Sequence, residues 1–516
     1  MGFVLTVILT ISPLRFPFYG ASIRTELQNL RTSYGAAPGT KTSSPPTRSV
    51  DQDKLDKDSV EHFEQQGSQY LHAGAYDNAI LAFNQALKLN PNLAGALYGR
   101  GTAYYHERDY EHAIQDYDRA VRLKPGYANA FYGRGLAYAK RNDYAHAIQD
   151  YDQALKLNPS LASAFYDRGN AFAEKGDFER AFADYDQAIR LDPSSGVAFY
   201  NRGLAYSHIG QYDRAIQDYN QALRLNPGFA EALYIRGVAY ADKGDYQRAI
   251  ADYDRALQLN PSLLDAYYSR ALANRRTGDS GRAMKDYDQA LRMNPNYSLA
   301  FYGRGLLYLQ MGDYENCIKN LDQALRIAPA YTNALVARGN AYALKRNYDR
   351  AIEDYDDAVK LAPDSSEAFY NRGWAYASKG DYHRAISDFN EAVSLKPRDP
   401  DAFDNRGWAY EQIGDHDAAI QDYDRALAIN PRKANVFLNR SRARLRKGEY
   451  ALGLADYGHY IGIQGAGLSV AVRLWILLVI AACGLALAAK INSRRIRKRA
   501  AKELVGQTHA PSGRRA

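Results

Sequence analysis

Prolines recur at positions 91, 125, 159, 193, 227, 261, 295, 329, 363, 397 and 431, and every interval is 34 residues. A fixed period running through most of a 516-residue chain overrides the several globular domains that its length alone would suggest. Each period is one supersecondary unit that cannot bury its own apolar face and is stabilised by stacking on its neighbours.

With proline taken as position 32, the first complete block is 60–93 and the last is 400–433, eleven in all. Glycine recurs at position 8 (Gly67, Gly101, Gly135, Gly169, Gly203), alanine at 20, and an aromatic ring at 24 (Phe83, Tyr117, Tyr151, Tyr185, Tyr219). Large residues at 4 and 11 and the small one at 8 lie three or four apart, so they share a face of one helix. Gly-Asp pairs such as Gly176-Asp177 then break that helix, and positions 17, 20, 24, 27 and 28 define the face of a second. Proline at 32 stops the second helix because it has no N–H and clashes with the preceding turn. Each block is predicted to be an antiparallel helix pair, with small residues at 8 and 20 letting the two axes approach.

Over roughly residues 60 to 465 this pattern resembles the tetratricopeptide repeat family. The resemblance implies an all-α, right-handed superhelical solenoid of 34-residue helix-turn-helix repeats. It also implies a concave groove lined by the first helices, with positions 2, 5, 9, 12 and 13 facing a ligand. Residues 60–433 then form eleven repeats, and 434–465, which carries Ser441 and Arg444 at positions 8 and 11 and lacks the proline, forms a degenerate capping repeat. Repeat seven departs from the pattern, with Ala271, Asn274 and Ser280 at positions 8, 11 and 17, and is expected to be locally soft.

Position 7 is arginine in every block after the first, including Arg100, Arg134, Arg168 and Arg202. Position 23 is nearly always aspartate, including Asp116, Asp150, Asp184 and Asp218. Such matched recurrence predicts structural ion pairs between first and second helices, the arginine stem covering apolar surface while its planar head forks onto a carboxylate.

The groove is the expected binding site. Tyrosine occupies position 5 as Tyr98, Tyr132, Tyr166, Tyr200, Tyr234, Tyr268, Tyr302 and Tyr370, and tryptophan occupies position 9 as Trp374 and Trp408. Amphipathic rings in a stripe have the composition of binding hot spots. Family members that clamp acidic chaperone tails carry lysine at position 5, and tyrosine there removes that clamp.

No catalytic constellation accompanies the repeats. The Asp-Tyr-Asp triplets at 116–118, 150–152 and 184–186 set their carboxylates roughly 200° apart around a helix, without the glycine and terminal glutamate of a calcium loop. His72 and His106 share position 13 of adjacent repeats but have no third ligand. The two cysteines, Cys317 and Cys483, offer neither a disulfide framework nor a paired metal motif. A non-enzymatic chain without cofactor or metal is expected.

The two ends carry a different message. From Lys490 onward nine Lys/Arg stand against one acid, which accounts for the whole net charge of +8, while the preceding 489 residues balance 57 bases with 57 acids. A nucleic-acid partner is therefore not expected of the array. Residues 468–489 are apolar enough for a transmembrane helix, and the bases of 490–516 place that tail in the cytoplasm by the positive-inside rule. The array then faces the exoplasmic side, the periplasm in a bacterium. Residues 1–31 form an apolar N-terminal segment, a candidate signal or second anchor, and 32–59 a polar, disordered linker. The expected function is a membrane-tethered scaffold binding partner proteins or peptides, with the bilayer as a further partner. The alternative is an accessory subunit of a membrane synthase or secretion complex that binds an extended polymer.

Overall fold

The computed structural model describes residues 50–464, and the side chains of 58–463. Among these residues there are 24 helices and no strand. Ala94–His106 and Tyr110–Leu123 make up repeat two, and nearly the same limits recur at steps of 34, so the first helix covers positions 1–13, one residue more in Leu264–Thr277 and Ala434–Lys447, and the second 17–30.

Local chemistry sets these limits. At position 15 the chain turns left-handed, usually on glycine, as at Gly176 with φ 79°. Position 16 caps the second helix, the Asp177 carboxylate accepting from the backbone N–H of Arg180 at 3.2 Å. The helix closes at position 31, where the N–H of Asn158 donates to the Ala154 carbonyl at 2.8 Å, and proline follows one residue later. The first helix of repeat one starts at Val50, inside the stretch assigned to the linker. That boundary is corrected, since low hydrophobicity alone does not forbid a helix, and the rest of that stretch, 32–49, lies outside the described residues.

Alanine at 20 and 27 and the ring at 24 form the core of the repeats, with Cys317 and Leu321 standing in at 20 and 24 of repeat eight. Tyr117, Tyr151, Tyr185, Tyr219, Tyr253, Tyr355 and Tyr423 are almost wholly buried, each contributing roughly 2 kcal/mol by leaving water. The ring lies under the position-8 glycine of its own repeat: a Cβ on Gly203 would stand 2.6 Å from Tyr219 Cε1. In the capping repeat the small residue has moved, with Ser441 at position 8 donating to the carbonyl of Gly453 at position 20, 2.7 Å away.

The chain divides into two compact units, one ending at Gly278 and the other starting at Asp279, in the turn of repeat seven. Within each unit the first helix of a repeat touches the first helix of the next, whereas second helices do not touch one another. First helices therefore line the inner, concave side of each unit.

Candidate partner groove

Two polar ladders hold the first helices in place. In the first, the arginine at position 7 clamps the position-23 aspartate of its own repeat. Arg134 reaches Asp150 through Nε at 2.8 Å and Nη2 at 2.7 Å, and Arg100–Asp116, Arg168–Asp184 and Arg202–Asp218 repeat that fork. The third nitrogen goes elsewhere. Arg134 Nη1 donates to Asp118 at 2.9 Å, and Arg168 Nη1 to Asp152 at 2.5 Å, both at position 25 of the preceding repeat. The two carboxylates of each Asp-Tyr-Asp triplet thus serve two different arginines. At Arg134 the hydrogen bond donated to Asp150 is the largest influence and, against burial, holds the guanidinium above its usual range. Burial in turn raises the carboxyl of Asp150, which Arg134 only partly offsets.

The second ladder joins position 5 of one repeat to position 6 of the next. Tyr132 donates to Asp167 at 2.6 Å, Tyr166 accepts from Asn201, Tyr370 accepts from Asn405 at 2.7 Å, and Asp404 accepts from Asn439 at 3.0 Å. The same tyrosine rings tilt onto the position-24 ring of their own repeat, at 5.8 Å for Tyr98–Tyr117 and 6.0 Å for Tyr200–Tyr219. Burial raises the phenols, that of Tyr200 to about 12. Asp167 is enclosed enough that its carboxyl rises to about 6 despite the Tyr132 hydrogen bond and the charge of Lys140.

These contacts change the expected tyrosine stripe. Tyr234 and Tyr268 are only 7% and 6% exposed and present little face to the groove, and the Tyr234 ring packs between its own repeat and the next, reaching Ser269. Tyr98, Tyr132, Tyr166, Tyr200, Tyr302 and Tyr370 are half-buried and keep an exposed edge. Trp374 and Trp408 are half-buried as well, each set edge-on against the position-17 tyrosine of the preceding repeat: Trp374 on Tyr348 at 6.0 Å and Trp408 on Tyr382 at 5.6 Å. Both flank one cluster built on Ile386 and Phe389. His106 stacks on Tyr76 at 4.6 Å and His72 bonds to the Ser68 carbonyl. Among the described residues no group of three His, Cys, Asp or Glu could hold a metal ion.

Residues 65–128, 200–263, 268–332, 302–366 and 336–402 match a family model described as tetratricopeptide repeat. Residues 135–176 and 169–210 match a TPR repeat model, and 401–433 a further tetratricopeptide repeat model. Together these matches cover well over half of the chain. The chain belongs to the tetratricopeptide repeat family. No curated protein is similar enough to be counted a relative of this tetratricopeptide array. Similar solved structures include a tetratricopeptide repeat protein from Parabacteroides merdae, with 20% identity, 48% of this chain and 98% of that one covered, and a TM-score of 0.41. Yeast Tom70 gives 17% identity, 76% and 96% coverage, and a TM-score of 0.39. YrrB, described as a TPR protein with an unusual peptide-binding site, gives 26% identity, 36% and 97% coverage, and a TM-score of 0.33.

Sequence reasoning missed position 6 of the tetratricopeptide array. Its signal was available: tyrosine at position 5 is followed 35 residues later by Asp167, Asn201, Ser269 or Asn405, small polar residues able to meet a phenol. Among the described residues no helix is long and apolar enough to cross a membrane. The apolar stretch 468–489, the tail 490–516 and the segment 1–31 lie outside the described residues.

Proposed function

We propose that this array is a membrane-tethered, non-catalytic scaffold that holds partner proteins or peptides in the groove of its first helices, with Trp374 and Trp408 at the centre of the contact. The observation that carries this reading is the tryptophan pair. Two large rings stand in consecutive repeats on the groove side, each packed T-shaped against Tyr348 or Tyr382 and partly exposed to solvent. A rigid, partly exposed aromatic loses little conformational entropy when a partner covers it, which is why such rings dominate interface energetics. Charge does not compete with this reading, because the arginine column answers the array's own aspartates.

Tethering rests on sequence: the apolar run 468–489 followed by a basic tail, with the array on the exoplasmic side. Affinity capture with the detergent-solubilised chain tests the site. Trp374→Ala/Trp408→Ala is expected to lose the partners that the native chain retains, and an unchanged set of partners removes the proposal. Topology is read separately by fusing a reporter active on one side alone ahead of residue 50 or after Ala516. Signal from the Ala516 fusion on the exoplasmic side would reverse the orientation.

A further inference from the structure

The last first helix of the array, Ala434–Lys447, carries five cations, and four of them are engaged. Arg440 clamps Asp456 at 2.6 Å and reaches Asp424 at 2.5 Å. Arg444 joins Asp456 at 2.9 Å, Arg446 joins the buried Glu411 at 2.6 Å, and Lys447 joins Asp417 and Glu449, both at 2.6 Å. Arg442 is exposed and has no acid partner among the described residues. The nearby carboxylates of Asp401 and Asp404 do not neutralise it, since Lys433 holds both, at 2.5 and 3.3 Å.

Arg442 occupies position 9, the place that Trp408 takes one repeat earlier and Trp374 two repeats earlier. The first helices of these three repeats lie side by side, so the same register position forms a column of ring, ring and free guanidinium along one side of the groove. We infer that this column reads an extended peptide carrying two apolar side chains followed by a carboxylate. The apolar residues cover Trp374 and Trp408, and the aspartate or glutamate forks onto Arg442.

The spacing follows from geometry. Adjacent packed helices lie about 10 Å apart, and an extended chain advances about 3.3 Å per residue, so one repeat corresponds to about three residues. The motif is therefore two apolar residues and then an acid, each separated by two residues of any kind, read in either chain direction. Arginine suits this role because its planar fork matches a carboxylate and is more weakly hydrated than an ammonium.

This inference rests on the groove reading above, and the experiment separates the two. A display library of random ten-residue peptides is selected on the full chain in detergent, on Trp374→Ala/Trp408→Ala, and on Arg442→Glu, with far-UV circular dichroism checking that each variant stays folded. The native chain is expected to enrich the apolar–apolar–acid spacing, the tryptophan variant to lose it, and Arg442→Glu to exchange the acid for lysine or arginine. A synthetic peptide of that motif should bind Arg442→Glu at least about tenfold more weakly, roughly 1.4 kcal/mol. Tryptophan-dependent enrichment with no preference for an acid, or an acid preference that Arg442→Glu leaves unchanged, overturns the inference and leaves the groove reading standing. No enrichment over the tryptophan variant, or binding of a uronic-acid polysaccharide in place of peptides, overturns both.

Discussion

The position-24 tyrosines offer a test in which one chemical deletion has opposite signs at two sites. Tyr355 donates to Asn340 Oδ1 at 2.6 Å with both residues buried, and Tyr185 donates to Asn170 Oδ1 at 2.8 Å. In repeat three, positions 9 and 12 are Leu136 and Ala139, and the buried Tyr151 hydroxyl has no hydrogen-bond partner. Tyr355→Phe removes a bond and leaves the Asn340 oxygen enclosed and unpaired, at a cost of about 1–3 kcal/mol. Tyr151→Phe removes an unsatisfied polar group from the same kind of pocket and is expected to stabilise repeat three by about 1 kcal/mol. Volume barely changes in either case, so packing contributes little to the difference of about 2–4 kcal/mol. Repeat arrays unfold locally, and a single global midpoint would average the effect away. Native-state hydrogen exchange, resolved on Tyr144–Leu157 and Tyr348–Leu361, is the suitable assay. Equal destabilisation by the two substitutions would refute the claim that hydroxyl pairing, rather than ring packing, separates these repeats.

Gly203→Ala sets its new Cβ 2.6 Å from the fixed ring of Tyr219, so overpacking of about 1–3 kcal/mol outweighs the helix-propensity gain; Gly101→Ala, at 3.1 Å, should be near neutral in thermal melts. Arg108 and Arg346 occupy the turn position with φ of 63° and 60°, where most repeats have glycine, so Arg108→Gly and Arg346→Gly should each stabilise by about 0.5–1 kcal/mol in urea titrations. Asp167 binds its proton more tightly folded than unfolded, so its contribution to stability falls as pH rises from about 4 to about 6 and stays low above that. Asp167→Asn, which can still accept from Tyr132, should flatten that slope and add about 2 kcal/mol at pH 7; denaturation midpoints measured from pH 4 to 7 check it. Repeat seven should exchange its amides faster than repeats six and eight, and equal protection would contradict the softness read from Ala271 and Asn274.

The period, the helix limits and the core were legible because each is dictated within a few residues: aspartate at 16 caps, glycine at 15 turns, proline at 32 stops, and the ring at 24 packs under a small residue at 8, usually glycine. The pairing of Arg134 with Asp150 was legible for a different reason, the matched recurrence of two columns. Less visible was the second partner. Arg134 lies 16 residues after Asp118 and 16 before Asp150, so the symmetric spacing was there, but a carboxylate two residues from another reads as the wrong face of one helix until the neighbouring repeat supplies the arginine. The tyrosines at position 5 failed in part because amphipathic rings suit a binding face and a joint between repeats equally well, and only burial separates Tyr234 and Tyr268 from Tyr98.

The arginine ladder also bears on why so many charged pairs are maintained in a neutral array. Burial raises the carboxyls of Asp150, Asp184, Asp218, Asp354, Asp388 and Asp422 even with a guanidinium bonded to each, so ionising them inside the fold is no bargain relative to water. Net stabilisation per pair is therefore small. The energetics change when one partner is missing, since a buried carboxylate without its arginine costs about 3–5 kcal/mol. Repeats that share the same apolar positions could slide against one another at little hydrophobic cost, but a slipped joint would strand the aspartate at 25. The fork onto position 23 is internal to each repeat and the bond to position 25 crosses the joint, so a slipped joint loses the second while keeping the first, and the ladder acts on register more than on stability.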